Sequence, residues 1–320
     1  NAKSFSMRES VKPSRSAPSA PVLLAHALGS KGRAFLMPAS TPLPEGSPFW
    51  GPITANYDWC EGNYVVTEYV AEFFNTLSSV PTLTVGLYFA LKSFKHGYGF
   101  RFALAGWMLA VVGLGSVAFH GTLTRLGQVL DELPMLYSSS IFLWISSSLR
   151  FTADKRGDER STKLGYGLLV YCVLVTYAYL NGGFEVFFVA YALTVLAVAV
   201  TSLDAVASSP SKKITKPYVL WAFGIYVGGF LALWVPEQVF CGNRLHAHHH
   251  SPLQDLPLPL HAFFHVTSSI GPLSWLTFAS FEGARRDERK PRIDWGRHAL
   301  LWGARGPEVV PTRKKKNKSR

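Results

Sequence analysis

Charged residues are scarce in this 320-residue sequence. They make up 16% of it, against 48% hydrophobic residues, whereas soluble domains carry roughly 25% charged residues. The deficit excludes an ordinary soluble domain and indicates a membrane protein. Acidic residues are scarcer than basic ones. There are 20 Asp and Glu against 32 Lys and Arg, which gives a net charge of +12.

The amino-terminal region lacks the hydrophobic core of a secretory signal and is rich in Ser, Pro, Ala and basic residues. We expect residues 1–45 to be a disordered or extraneous segment, with a natural start at Met37. A transmembrane catalytic domain over 46–285 and a basic cytoplasmic tail over 286–320 complete the predicted organisation.

Long apolar runs, in contrast, are abundant. A helix crosses the hydrocarbon core of a bilayer with about 20 apolar residues, and seven runs approach or exceed that length. They cover residues 69–91, 102–119, 128–149, 165–181, 184–203, 218–236 and 259–281. Only the turn signal Asn181-Gly182-Gly183 separates the fourth run from the fifth. The sequence therefore predicts an all-α bundle of seven transmembrane helices.

Positive charge follows alternate spans. Basic residues come after the first, third, fifth and seventh runs, at Lys92, Lys95 and Arg101, between Arg150 and Lys163, at Lys212, Lys213 and Lys216, and in the terminal "RKKKNKSR". Since positive loops stay cytoplasmic, we predict a lumenal amino terminus and a cytoplasmic carboxyl terminus. The net charge is then explained by topology and anionic lipid, and nucleic-acid binding is not expected.

Cysteine is rare, with three residues. Cys172 lies inside the fourth run and is interpreted as a small buried apolar side chain. Cys60 and Cys241 both fall on the predicted lumenal side, where an oxidising compartment permits a disulfide. We predict that these two residues pair.

Three histidines lie within or beside the apolar runs. His261 and His265 in "LHAFFHV" are four residues apart, so both side chains share one helix face. His120 in "GSVAFHGTL" approaches the same lumenal depth from the second span. Three neutral ligands with one open position are typical of a catalytic zinc. The alternative is a set of helix-packing histidines.

Two further polar residues accompany the histidines. Asp131 in "VLDELPMLY" is a candidate base or an orienting carboxylate, unless it is simply a helix-terminal carboxylate in water. Ser116 is a candidate donor to an oxyanion, or a hydroxyl bonded to its own helix backbone. A separate cluster, His246, His248, His249 and His250, is interpreted as a solvated loop.

Side chains with oxygen atoms that can bind a metal ion are frequent at the start of the first span, in "NYDWCEGNYVVTEYVAEFFN". They are Asp58, Glu61, Asn63 and Glu72. Such a set suits calcium, which takes six to eight oxygens. The same residues are also explained by an acidic, amphipathic start of the first helix, with Glu72 facing a polar interior. The sequence is compatible with both interpretations.

These stretches together resemble the alkaline ceramidase family, over about residues 48–285. That family belongs to a superfamily of seven-span hydrolases which also holds the adiponectin and progestin receptors and enzymes that remodel GPI-anchor lipids. "DWCEGNY" and "EFFNTLSSVP" resemble its amino-terminal signature, and "GSVAFHGTL", "VLDELPMLY" and "LHAFFHV" its histidine and acidic motifs. Phe263 and Phe264 stand where relatives commonly carry Trp.

The resemblance implies a set of site residues. It implies zinc on His120, His261 and His265, with Asp131 and Ser116 as catalytic residues. It also implies calcium on Asp58, Glu61, Asn63, Glu72 and the backbone carbonyl of Trp59, and a bridge between Cys60 and Cys241.

The activity that the resemblance implies is hydrolysis of ceramide, or of phytoceramide, to a sphingoid base and a fatty acid. The substrate would enter from the bilayer. Alternative functions are a lipid-sensing seven-span receptor or a GPI-lipid-remodelling esterase. Lys316 and Lys318 have the spacing of a dilysine retrieval signal, which predicts residence in the endoplasmic reticulum or Golgi.

Overall fold

The computed structural model describes residues 48–151, 154–241 and 259–312. The predicted disordered segment 1–45, the histidine cluster 246–250, Lys316 and Lys318 lie outside these residues. The helices are α1 (Phe73–His96), α2 (Phe100–Thr122), α3 (Arg125–Ser148), α4 (Lys155–Gly182), α5 (Phe184–Ala207), α6 (Lys212–Gly229), α7 (Val235–Phe240) and α8 (Leu260–Arg286). Two strands follow, β1 (Pro291–Arg297) and β2 (Arg305–Pro311).

Four of the helical rods are long and apolar enough to cross a membrane. They are α2, α4, α5 and the continuous rod Lys212–Phe240, in which a π-helical turn (Phe230–Trp234) joins α6 to α7. The remaining long helices, α1, α3 and α8, carry many buried polar side chains, such as Asn75, Glu132 and His265. These polar groups lower the hydropathy of the helices and face the interior of the bundle.

The helices α1, α2 and α3 approach one another through glycines. A Cβ atom on Gly86 would lie 2.3 Å from the backbone nitrogen of Ala110, and one on Gly115 would lie 1.8 Å from the carbonyl oxygen of Leu130. Small residues allow such close backbone contact between helices in a membrane. The contact brings the end of α2, with Ser116 and His120, directly against α1 and α3.

The predicted break between the fourth and fifth apolar runs is confirmed. α4 ends at Gly182 and α5 begins at Phe184, and Gly183 between them has a φ of 88°, in the left-handed region. Glycine adopts this region without the steric cost that a Cβ would bring. The chain therefore reverses direction at Gly183 and starts a new helix.

A β-hairpin closes the bundle at the end where α1 finishes. β1 and β2 pair antiparallel, from Pro291 opposite Pro311 to Arg297 opposite Arg305. Leu301 and Val309 of this segment belong to the main hydrophobic core. The Tyr88 hydroxyl of α1 donates to the carbonyl oxygen of Pro307 at 3.0 Å. This hairpin lies within residues 286–320, for which the sequence predicts a basic tail and no folded unit.

The segment before α1 covers the opposite end. The backbone nitrogens of Thr54 and Ala55 donate to the carbonyl oxygen of Leu123, at 3.2 and 3.0 Å. Cys60 of this segment forms a disulfide with Cys241, which follows α7, across a Cα–Cα distance of 5.7 Å. The predicted pairing is thus present, and Cys172 is a buried free thiol, as expected.

Candidate metal centre and apolar cavity

The structure brings His120, His261 and His265 together. His120 lies at the end of α2, and His261 and His265 lie one turn apart at the start of α8. One ring nitrogen of each lies within 4.8 Å of the others, and all three side chains are buried. Such a separation suits convergence on a single ion with metal–nitrogen bonds of about 2.0–2.1 Å.

Hydrogen bonds fix the orientation of two of the imidazoles. His120 Nδ1 lies 2.5 Å from Glu72 Oε2, and His265 Nδ1 lies 3.1 Å from the carbonyl oxygen of Asn75. Because a carboxylate and a carbonyl only accept, both Nδ1 atoms are donors, and each neutral ring keeps its lone pair on Nε2. A metal ligand requires this arrangement.

The third imidazole is held by stacking. His261 lies against the Trp59 ring, with centroids 3.7 Å apart. Two buried ring nitrogens of the cluster, His120 Nε2 and His261 Nδ1, have no hydrogen-bond partner among the described residues. Buried polar atoms normally have partners, so the triad fits a metal ion.

Asp131 and Ser116 lie beside the histidines. Ser116 hydrogen-bonds to the Asp131 carboxylate, and its hydroxyl is 3.0 Å from that of Ser79 in α1. Both side chains are buried and line the same cavity as His261 and His265. The hydroxyl and the carboxylate can thus both reach a substrate that enters this cavity.

The cavity has a volume of about 380 Å³. Beyond the histidines, its walls are formed mainly by apolar side chains of α3, α5, α8 and the rod Lys212–Phe240, among them Phe142, Phe187, Phe230 and Phe264. An apolar cavity with a few polar groups at one end suits an amphipathic ligand. The long hydrocarbon chain of a lipid fits this description better than a polar metabolite does.

The acidic residues before α1 make separate contacts. Asn63 Nδ2 donates to both carboxylate oxygens of Asp58 at 3.1 Å. Asn63 Oδ1 is buried and has no donor within the described part of the chain. Glu61 accepts the backbone N–H groups of Phe74 and Asn75, at 2.7 and 2.8 Å. The orphaned Asn63 oxygen and these carboxylates fit a calcium ion, whose ligands are oxygens.

Burial is the main influence on Glu61. Burial raises the pKa of this carboxyl from 4.5 to about 7. The two backbone N–H groups lower the pKa, and the nearby Glu72 raises it. Two close buried carboxylates are costly to ionise without a cation. Glu72 also accepts the N–H of Trp59 through Oε1 at 3.0 Å, so it links the acidic segment to His120.

Sequence reasoning missed Glu237 of α7. Its side chain is 1% exposed, and its Oε1 accepts the N–H of Cys60 at 3.2 Å. It also interacts with the backbone N–H of His261, so it ties the disulfide to the start of α8. Glu237 lies one residue beyond the predicted sixth span, and it was therefore not recognised as an ionisable group at membrane depth.

Comparison with known proteins gives the same family along most of the chain. A family model described as Ceramidase matches residues 51–309. Alkaline ceramidase 3 of Mus musculus is 30% identical over 261 residues, which are 79% of this chain and 92% of that protein. Alkaline ceramidase of Arabidopsis thaliana is 26% identical over 251 residues, 78% and 92% of the two chains.

A human relative gives a third match. Alkaline ceramidase 1 of Homo sapiens is 28% identical over 241 residues, which cover 71% of this chain and 82% of that protein. The family match spans the acidic segment, all three histidines and most of the carboxyl-terminal hairpin. By the extent of this match, the chain belongs to the Ceramidase family.

Proposed function

We propose that the protein is a zinc-dependent intramembrane amidase, which hydrolyses ceramide to a sphingoid base and a fatty acid. The observation that carries this proposal is the convergence of three buried histidines, two of which, His261 and His265, line an apolar cavity. Family membership and the names of the alkaline ceramidase relatives support the choice of substrate. Phytoceramide, which differs in its sphingoid base, is a second candidate substrate.

The metal would be held by His120, His261 and His265, whose lone pairs and buried orphan nitrogens fit it. When bound, zinc would polarise the amide carbonyl and lower the pKa of a water molecule. Calcium would be held by Asp58, Glu61, Asn63, Glu72 and the Trp59 carbonyl. Its role would be structural or regulatory, and it would offset the repulsion among carboxylates that lie beside the histidines.

Asp131 and Ser116 would carry out the proton transfer and the stabilisation of charge. Asp131 accepts a proton as water attacks the amide carbon, and returns it to the amine as the carbon–nitrogen bond breaks. The Ser116 hydroxyl donates a hydrogen bond to the carbonyl oxygen as negative charge develops there. The water oxygen leaves in the fatty acid, and the sphingoid base leaves as the free amine.

The proposed setting is the membrane of the endoplasmic reticulum or Golgi. All seven predicted spans would cross it, with the amino terminus in the lumen. The disulfide between Cys60 and Cys241 supports this orientation, because it requires an oxidising compartment on that side. The fatty chain would lie in the apolar cavity and reach it from the bilayer.

A substrate panel tests this function. Detergent-purified protein would be assayed with ceramide, phytoceramide and a diacylglycerol ester, as wild type, as His265→Ala and as His298→Ala. His298 lies on the hairpin, against Tyr88, and serves as the control. We expect amide hydrolysis by the wild type and by His298→Ala, and at least a roughly 1,000-fold loss in His265→Ala.

Three outcomes would contradict the proposal. Cleavage of the ester without cleavage of either amide would indicate an esterase. Undiminished amide hydrolysis by His265→Ala would show that the histidine cluster does not support the reaction. Saturable ceramide binding with no turnover would favour a lipid-sensing receptor.

A further inference from the structure

Glu132 is a buried carboxylate that the proposed chemistry does not use. It follows Asp131 in α3, its side chain is 4% exposed, and it lines the same cavity. Successive residues of a helix point about 100° apart. Asp131 hydrogen-bonds with Ser116 of α2, whereas Glu132 accepts a hydrogen bond from the Tyr179 hydroxyl of α4. The two neighbouring carboxylates therefore serve different parts of the cavity.

A hydrogen-bond network fixes one side of Glu132. Its Oε1 accepts from Gln128 Nε2 at 2.8 Å, and Gln128 Oε1 accepts from Arg125 Nη1 at 2.9 Å. Arg125 Nη1 also donates to the Tyr179 hydroxyl at 2.9 Å. The backbone nitrogen of Asn56, in the segment before α1, donates to the same Gln128 oxygen at 2.8 Å. Contacts from three parts of the chain thus hold Glu132 in place.

The other oxygen of Glu132 lacks a hydrogen-bond donor among the residues that the structure describes. Oε2 is buried and finds no hydrogen-bond partner among the described residues. Leaving a buried carboxylate oxygen unpaired is costly, and native proteins rarely do so without a functional reason. The surrounding wall is mainly apolar, with Phe184, Phe187 and Met135 among its residues. A ligand that occupies the cavity can supply the donor that Oε2 lacks.

We propose that Glu132 is a substrate-recognition residue, which accepts a hydrogen bond from a hydroxyl of the sphingoid base next to the amide. This inference rests on the proposed function. In ceramide the amide nitrogen is on C2, and the neighbouring carbons C1 and C3 each carry a hydroxyl. When the amide lies at Asp131 and Ser116, these hydroxyls are the nearest donors to the adjacent residue of α3. The fatty chain has no donor to offer.

The test compares substrates that differ by one hydroxyl. Ceramide, 1-deoxyceramide and 3-deoxyceramide with the same acyl chain would be given to the wild type and to Glu132→Gln. We expect kcat/KM for ceramide to fall about 10- to 100-fold in the variant, as for loss of a hydrogen bond to a charged group. For the analogue that lacks the recognised hydroxyl, the variant and the wild type should differ less than about threefold.

Two control variants separate recognition from folding. Glu185→Gln removes an exposed carboxylate of α5 that interacts electrostatically with Glu132, and it should leave all three substrates unaffected. Glu132→Asp keeps the charge on a shorter side chain. It should show the same dependence on the substrate hydroxyl, with a smaller loss of kcat/KM. Melting temperature and zinc content would be measured for each variant. These controls keep the test valid if Glu132→Gln folds poorly.

An equal loss on all three substrates, or no loss on any, would overturn the proposal and assign Glu132 to the fold alone. Failure of the proposed function would look different, because the wild type itself would not hydrolyse ceramide. In that case, the affinity for the lipid can be measured to test Glu132 in the absence of turnover. Trp59 and Trp234 line the cavity, so their fluorescence can report the affinity for ceramide and 1-deoxyceramide. Glu132→Gln should weaken only the affinity for the hydroxyl-bearing lipid.

Discussion

Glu72 connects the two candidate metal sites at the scale of single residues. One of its oxygens accepts from His120, and the other accepts the N–H of Trp59. Its side chain is completely buried. The residue therefore fixes the tautomer of a candidate zinc ligand and the position of the acidic segment together.

Replacing Glu72 should weaken zinc binding. Glu72→Gln removes the charge that keeps His120 Nδ1 protonated, and loss of such a partner typically costs about 10- to 100-fold in metal affinity. Zinc affinity would be measured by competition with a chelator. Glu68→Gln is the matched control, because Glu68 is exposed. Equal zinc affinities in the two variants would show that Glu72 does not support the site.

Replacing Asp131 should separate catalysis from metal binding. Asp131→Asn keeps the shape of the side chain but cannot accept the proton, so we expect kcat to fall about 10²- to 10⁴-fold. Zinc content should stay unchanged. Asp204→Asn, at an exposed ion pair with Arg150, is the control. A loss of zinc in Asp131→Asn, or full activity, would be inconsistent with the role of a base.

The sequence predicts the ionisable residues whose burial at membrane depth costs free energy. His120, His261, His265 and Asp131 are conspicuous because they lie within or beside apolar runs. The structure brings the three histidines together, and His261, His265 and Asp131 line one cavity. The partners of these residues are less visible. Asn75 orients His265 through a backbone carbonyl, an interaction that carries no side-chain signal. Glu237 lies at the end of a run, where a carboxylate is ordinarily solvated.

The hairpin is the element that pattern analysis could not supply. Its strands are seven residues each and contain charged residues and Gly. An alternation of apolar and polar residues is therefore not evident in this basic stretch of the sequence. Its stability comes from tertiary contacts. Leu301 and Val309 reach the core, and Glu308 binds Lys92, Lys95 and His96 at the end of α1.

Glu308 should stabilise the fold in a pH-dependent way. Burial alone would raise its pKa, but hydrogen bonds from Lys92, His96 and Lys95 lower it from 4.5 to about 2. Because the folded-state pKa is depressed, the contribution is complete above about pH 4.5 and is lost as the pH falls towards 2. Glu308→Gln should therefore cost on the order of 1–3 kcal/mol at neutral pH.

Thermal unfolding in detergent between pH 7 and 3 checks this expectation. The difference in Tm between the wild type and Glu308→Gln should narrow as the pH falls. Glu159→Gln is the control, because Glu159 forms an exposed pair with Lys163 in α4. A pH-independent difference would mean that the Glu308 ion pairs do not hold the hairpin.

Across the whole molecule, the disulfide joins two distant parts of the chain around the histidines. Cys60 and Cys241 are 181 residues apart in sequence, and Trp59 beside Cys60 stacks on His261. Removing the bridge with Cys60→Ser and Cys241→Ser together should lower both Tm and zinc content, since the segment before α1 would lose its anchor. Cys172→Ser is the control. Unchanged zinc content in the double variant would show that Glu237 and the hydrogen bonds suffice.

The central claim is that three histidines hold zinc for amide hydrolysis. The most direct test is elemental analysis of detergent-purified protein, wild type beside His265→Ala, with ceramide hydrolysis followed on the same samples. We expect about one zinc per chain in the wild type, and loss of both zinc and hydrolysis in the variant. Ceramide hydrolysis by zinc-free protein, or zinc and activity retained in His265→Ala, would contradict the account.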